Sequence, residues 1–305
     1  MHDLIILGGS AAGVTAAIYA ARRQLDIKLI AGDIGGEIAT TDIIENYPGY
    51  VKVGGLELAE KFKEQLKYNN VSVDEGWLAK KIEKKDNYFV VTAKNFSDKE
   101  KTYETKTVIV ATGVHPRHLG VPGEKELFHR GVTYCAVCDA PLFKNKIVAV
   151  VGGGNSALES ALMLGEIAAQ VFFLNRNPQF KGEAVLIEKV KKHSKITVLT
   201  RATTQKILGE KSVTGVEYQD ADNQTRQIAV NGVFVHAGWE PNADFIDLVK
   251  KNTKGEIMVD QNSATDVPGI FAAGDVTDTA YKQIIVAAGM GATAALSAVN
   301  FLNKK

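Results

Sequence analysis

Cys135 and Cys138 are the only two cysteines in the 305-residue chain, and they stand three apart in Cys135-Ala136-Val137-Cys138-Asp139. A pair with this spacing can close a disulfide within one turn of chain, and a thiolate in such a motif can have a lowered pKa and act as a nucleophile. Exchange runs through a mixed disulfide, so one sulfur must meet the partner while the other resolves it. Asp139 follows at once and could trade protons with a thiol. Zinc is the weaker reading, because a structural site usually needs four ligands and His115, His118 and His129 upstream make no matching second pair. Inert buried cysteines are the other alternative. So few cysteines also point to a reducing compartment, not to a secreted disulfide scaffold.

Two glycine turns flank this pair. Gly8-Gly9-Ser10-Ala11-Ala12-Gly13 follows the apolar run Leu4–Leu7, and Gly152-Gly153-Gly154-Asn155-Ser156-Ala157 follows Ile147–Val151. A dinucleotide turn needs glycine for the tight turn, for backbone approach to pyrophosphate and for close helix–strand packing. The helix that follows offers free N–H groups to the phosphates. Gly152, Gly154 and Ala157 fit that pattern with the permitted Ala at its end. Gly8, Ser10 and Gly13 fit less well, because Ser10 occupies the close-approach position. One such turn is weak evidence, but two, each between an apolar strand and an Ala-rich helix, are much stronger. Asp33 stands where an acid could meet a ribose diol. The same place in the second half holds Asn175-Arg176, with Lys181 nearby. A cation there favours a 2′-phosphate, hence NADPH over NADH, against the blander reading of Arg176 as a solvated surface charge. Placed between two nucleotide turns, the cysteines read as the end of an electron path from nicotinamide through flavin to disulfide.

The elements that must position these residues follow one plan twice. The first half predicts a strand over Leu4–Leu7, a helix over Val14–Arg22, a strand over Ile27–Ile30 and a closing strand over Thr107–Gly113, ending in glycine. The second predicts strands over Ile147–Val151 and Val171–Leu174 and a closing strand over Gly232–Gly238. Each half carries an alternating segment, Asn87–Thr92 and Ser212–Tyr218, that reads as an antiparallel hairpin or meander. The expected fold class is therefore α/β, with two Rossmann-like three-layer nucleotide-binding domains, each with a small antiparallel β excursion. Gly269–Asp275 lacks a nucleotide turn and should complete one of the two.

Composition narrows the partners. Apolar residues make up 45%, charged residues 23%, and the formal charge is +1 with no long run of one sign, which argues against nucleic acid or an acidic membrane. Ile284–Leu302 carries no charge, but its Ala and Gly content suits a buried helix better than a membrane span. Met1-His2-Asp3 leads straight into the first strand, so the expectation is no signal peptide and a cytoplasmic location.

The assembled motifs resemble the low-molecular-weight thioredoxin reductases over nearly the whole chain, and are similar to the flavoprotein reductase that serves alkyl hydroperoxide peroxidases. The marks are Gly8–Gly13, Glu45-Asn46-Tyr47-Pro48-Gly49, Ala111-Thr112-Gly113, Cys135–Asp139, Gly152–Ala157, Gly274-Asp275 and Tyr281-Lys282-Gln283. The resemblance implies a discontinuous FAD domain of residues 1–114 and 245–305, an NAD(P)H domain of residues 115–244 carrying the cysteines, a homodimer, and a swing of one domain against the other. It makes Cys138 the flavin-facing sulfur, Cys135 the one that attacks a thioredoxin-like protein, and Asp139 the acid/base. It assigns FAD to Gly8, Ser10, Ala11, Ala12, Gly13, Asp33, Glu37, Asn46, Thr112, Gly113, Gly274, Asp275, Lys282, Gln283 and Ile284. The pyridine nucleotide falls to Gly152, Gly154, Asn155, Ser156, Ala157, Arg176 and Lys181. No metal is implied. The chain departs from the family at Ser10, a glycine elsewhere, at Glu37, usually Gln, and at Asn175-Arg176-Asn177, usually His-Arg-Arg. Lys282-Gln283-Ile284 and Cys138-Asp139-Ala140-Pro141-Leu142-Phe143 lean toward the peroxidase-reductase branch, so a reductase serving a peroxidase, or using another electron donor, is the alternative to a thioredoxin-disulfide reductase. That branch normally carries an additional N-terminal thioredoxin-like domain, which is not expected here.

Overall fold

The computed structural model describes residues 1–41 and 43–304, apart from the side chains of Ile43, Val137 and Cys138. The chain forms two compact units, one of Met1–His115 with Glu240–Lys305 and one of Pro116–Trp239.

The first unit is built on a seven-stranded sheet. Strand His2–Leu7 lies between Ile27–Ala31 and Glu100–Val110, with Leu4 beside Ile27 and Thr107 and Leu7 beside Ile30 and Val110, all parallel. Ser72–Glu75 extends the parallel run past Ile27–Ala31. Ile270–Ala272 joins it from the far end of the chain, against Val108–Val110. Leu4–Leu7, Leu29, Val108–Val110 and Ile270 are buried, the continuous apolar run needed by parallel strands covered on both faces.

The alternating segment of this half is not a separate hairpin. Strand Glu100–Val110 serves twice: its first residues pair antiparallel with Phe89–Asn95, and its last pair parallel with His2–Leu7. Phe89–Asn95 pairs in turn with Trp77–Lys84. Excursion and parallel core therefore share one sheet. Phe89, Val91 and Ala93 are buried and alternate with half-buried residues, as a strand with unequal faces requires.

The second unit keeps its two sheets apart. Its parallel sheet runs in the order Val132–Thr133, Gly232–His236, Ile147–Gly152, Gln170–Asn175, Ile196–Thr200. Helices Asn155–Ile167 and Ala184–Lys192 contribute to the core on one side. A three-stranded antiparallel sheet, Thr203–Gly209, Val213–Gln219 and Thr225–Ala229, contributes to a second core.

Small residues set the helix packing of the first unit. Helix Ala11–Ala21 begins three residues before the expected Val14, because Ser10 is extended and the backbone turns helical at once. It packs against Ile284–Leu302 through a buried set that includes Ala12, Ala16, Ala20, Ala288, Ala294, Ala295 and Ala298. A Cβ on Gly291 would lie 2.1 Å from the Ala12 carbonyl oxygen, so the two backbones approach as closely as glycine allows. Among the described residues Ile284–Leu302 is the helix long and apolar enough to cross a membrane; its small-residue side instead belongs to this core. Gly291→Ala forces the helices apart and is expected to cost about 1–3 kcal/mol of stability, read from chemical denaturation of the variant beside the parent.

Candidate active site

At the carboxyl ends of its parallel strands the first unit opens a cleft of about 1110 Å³ lined by residues 7–12, 31–33, 111–115 and 273–275. This is the end of an open parallel sheet at which ligands bind. The volume exceeds the usual range for drug-sized ligands and suits a dinucleotide. A Cβ on Gly13 would sit 1.9 Å from the Gly8 carbonyl oxygen, so glycine there lets the helix lie directly on its strand. The first turn of Ala11–Ala21 holds no acid, which leaves its free N–H groups to an anion.

Ser10 turns away from this approach. Its hydroxyl donates to the Gly35 carbonyl at 2.6 Å, and it caps no N–H of the helix it precedes. Asp33 is also engaged, since its Oδ1 accepts the Gly36 N–H at 2.7 Å. The turn Gly36–Ile38, which carries Glu37, is thereby fastened to both the glycine turn and the end of the second strand. Burial, then the nearby Asp33 carboxylate, pushes the Glu37 carboxyl above its ordinary value; His115 pulls it down, and Asp275 adds to the rise.

Across the cleft, Asn46 Nδ2 donates to Gln283 Oε1 at 3.3 Å. Asp275 holds a buried Oδ1 with no hydrogen-bond partner, and burial raises its pKa against the opposing pull of Lys282. A buried polar atom left this way calls for a partner, and a dinucleotide's hydroxyls are of the right chemistry. Together with the bare helix end and the turned-away Ser10, this fits FAD. Lys282 lines the cleft, but its ammonium donates to the carbonyls of Asp275 and Thr277 at 3.0 and 2.5 Å and pairs with Glu256 at 3.0 Å. It fastens the Asp275–Thr277 turn. Asn242, which sequence reasoning missed, does similar work: its Nδ2 donates to the Thr112 carbonyl at 2.9 Å, its own carbonyl accepts the Thr112 hydroxyl at 2.6 Å, and its Oδ1 lies 2.6 Å from His115 Nδ1.

In the second unit, Gly154 begins helix Asn155–Ile167, and a Cβ there would meet nothing within 4 Å. That open space beside a helix N-terminus with no acid in its first turn is the arrangement pyrophosphate needs. The Asn155 side chain is tied down: it accepts the Glu183 N–H at 2.8 Å and donates to Glu183 Oε1 at 3.0 Å. Ser156 is exposed and Ala157 buried. Asn175 is buried and braces its loop, donating to the Gln179 carbonyl at 3.0 Å and accepting the Asn177 N–H at 3.1 Å. Arg176 and Lys181 are exposed, their side chains in no ion pair among the described residues. His236 ends the strand beside Gly152. Its ring is largely buried, Nε2 has no partner, and desolvation lowers its pKa to about 4.

The cysteine segment also lies in the second unit. Cys135 follows strand Val132–Thr133 and precedes the helical turn Ala136–Asp139. Cys135 is disulfide-bonded; the Cys138 side chain lies outside the described residues. The Thr133 hydroxyl accepts the Cys135 N–H at 3.1 Å and donates to the Asp139 carboxylate. Tyr134 donates to Glu124 Oε1 at 2.9 Å. Glu124 is buried and also accepts the N–H groups of Leu119 and Gly120 at 2.8 and 2.7 Å. Neither Thr133 nor Glu124 carries a sequence signal, because each acts through a contact that only the fold makes.

The family model described as pyridine nucleotide-disulphide oxidoreductase matches residues 2–291. A protein named NADH dehydrogenase from Ferdinandcohnia aciditolerans is 42% identical over 98% of this chain and 57% of its own length. A component of the alkyl hydroperoxide reductase of Staphylococcus aureus is 40% identical over 99% of this chain and 59% of its own. The chain thus spans somewhat over half the length of these curated relatives. The crystal structure of Lactococcus lactis thioredoxin reductase superposes with a TM-score of 0.88 at 35% identity, covering 100% of both chains.

Two outcomes follow from these contacts. Ser10→Ala removes the bond to Gly35 and is expected to lower the stability of the first unit by about 1 kcal/mol, measured by urea unfolding. His236 has a folded pKa of about 4, below the ordinary histidine value, so its contribution is complete above about pH 6.5 and is lost as pH falls toward 4, a change on the order of 3 kcal/mol. Unfolding titrations across that range should show the loss in the parent and its absence in His236→Leu.

Proposed function

This chain belongs to the pyridine nucleotide-disulphide oxidoreductase family, and on that premise we propose that it is a FAD-dependent thioredoxin-disulfide reductase. The observation that carries the reading is Cys135, closed in a disulfide, with its N–H and the Asp139 carboxylate both bonded to one Thr133 hydroxyl. The first unit is the FAD domain, holding the cofactor through Gly8–Gly13, Asp33, Asn46, Thr112, Gly113, Gly274, Asp275, Gln283 and Ile284. The second is the NAD(P)H domain, taking the pyridine nucleotide at Gly152, Gly154, Ser156 and Ala157. FAD supplies the step between a two-electron donor and a disulfide.

The reduced protein acts through its own sulfurs. The Cys135 thiolate attacks the partner's disulfide, forming a mixed disulfide and releasing one partner thiolate. Cys138 then attacks Cys135, closing their disulfide and releasing the second. Asp139, held by Thr133, supplies and takes the proton. The partner is a thioredoxin-like protein, the active form a homodimer and the location cytoplasmic. The exposed, unpaired Arg176 and Lys181 support NADPH as donor.

A second reading has its own support: the S. aureus relative is named for alkyl hydroperoxide reductase and the F. aciditolerans one for NADH. In that case the partner belongs to a peroxidase system.

Cys138→Ser is expected to accumulate a stable mixed disulfide between Cys135 and the thioredoxin-like partner, seen by non-reducing electrophoresis and mass spectrometry, whereas Cys135→Ser traps nothing. Normal turnover by Cys138→Ser would reverse the roles. If Arg176 reads a 2′-phosphate, Arg176→Ala lowers kcat/KM for NADPH about tenfold and leaves that for NADH unchanged; equal values for both donors in the parent favour the second reading.

A further inference from the structure

We propose that Glu37 takes up a proton when FAD fills the cleft of the first unit, so that cofactor binding is proton-linked and this side chain is neutral in the loaded protein. The inference rests on reading that cleft as the FAD site.

Glu37 cannot swing clear of the anion site with its turn. The Gly35 carbonyl is fastened by the Ser10 hydroxyl at 2.6 Å, and the Gly36 N–H by Asp33 at 2.7 Å. A Cβ on Gly36 would stand 3.2 Å from Ser10 Cβ. The turn that carries Glu37 is thus packed against the residue that precedes helix Ala11–Ala21, whose N-terminal N–H groups face the phosphates in a dinucleotide turn.

The electrostatics of the wall are unfavourable to a further negative charge. Burial, then Asp33, already pushes the Glu37 carboxyl up; His115 opposes the rise and Asp275 adds to it. Elsewhere the lining carries Glu45 and Asp244 against Lys80 and Lys282, and the Lys282 ammonium is already taken by Glu256 and two carbonyls. The Glu37 carboxylate makes no hydrogen bond or ion pair among the described residues. Asp33 differs, because its carboxylate already accepts the Gly36 N–H. Burial raises the Asp275 carboxyl too, with the Lys282 ammonium opposing that rise.

Glu37 is exposed to the open cleft. A bound dinucleotide removes that water and adds the negative charge of two phosphates, and both changes favour the protonated carboxyl. A group whose pKa rises on binding takes up a proton from solvent. Affinity is then highest below the free-state pKa and falls as pH rises through the bound-state value, by about tenfold for each unit of separation.

The test is reconstitution of the full-length apo-protein with FAD, followed by quenching of flavin fluorescence, alongside proton uptake in lightly buffered indicator dye. The parent should bind FAD at least about threefold more weakly near pH 8 than near pH 5.5 and take up protons on binding. Glu37→Gln should bind with little pH dependence and no uptake, and should bind more tightly than the parent at the alkaline end. His115→Gln should retain the parent's slope, which separates Glu37 from the histidine beside it. Uptake that persists in Glu37→Gln, or a parent with a flat profile, overturns the proposal while leaving the flavin reading intact. Failure of the parent to bind FAD at any pH overturns both.

Discussion

Close approach of a helix to the strand before it is the constraint on which both glycine turns depend. A helix end can serve an anion only if its free N–H groups reach the edge of the sheet, and side chains between helix and strand would hold it away. In the first unit Gly13 lies directly on the Gly8 carbonyl, and Gly291 lets a second helix press against Ala12. In the second, Gly152 could not carry a Cβ without striking Ala157 and the His236 carbonyl. Small residues at these contacts explain why an uncharged helix such as Ile284–Leu302 belongs to a core, with backbone–backbone packing taking the place of large interlocking side chains.

Around those turns, the departures from the family pattern are absorbed by hydrogen bonds. Ser10 would obstruct a phosphate if its hydroxyl faced the cleft, and the Gly35 carbonyl gives that hydroxyl a partner elsewhere. The same bond fixes the position of Glu37. Asn175 does not face a ribose as an acid would; it is buried and shapes the loop that follows, leaving the neighbouring Arg176 outside. Lys282 is a fastener for the Asp275 turn, with its three donors engaged. A substitution in a binding motif is thus interpretable only with its new partner in view.

The alternating segments show where sequence patterning stops being informative. Both halves alternate apolar and polar residues, and both form antiparallel strands. In the first unit one long strand, Glu100–Val110, continues from the antiparallel part into the parallel core. In the second, the antiparallel strands form a separate sheet. Alternation reports that one face is covered but not by what, since period-2 burial is the same whether the neighbour is another strand of the same sheet or a second layer.

Local chemistry was legible in the chain alone wherever it depends on residue type at short spacing. The Cys135–Cys138 spacing, the two glycine turns and the apolar strands before them each act within a few residues of themselves, so their order along the chain already specifies them. The α/β plan followed from the same local signals. What only the tertiary structure decided are the partners drawn from farther along the chain: Gly35 for Ser10, Asn242 for Thr112 and His115, Glu256 for Lys282. Each partner is a backbone carbonyl or an ordinary polar side chain, which nothing in the sequence marks for that contact. A hydrogen bond needs its two atoms within about 3 Å, and folding alone determines which distant residues come that close.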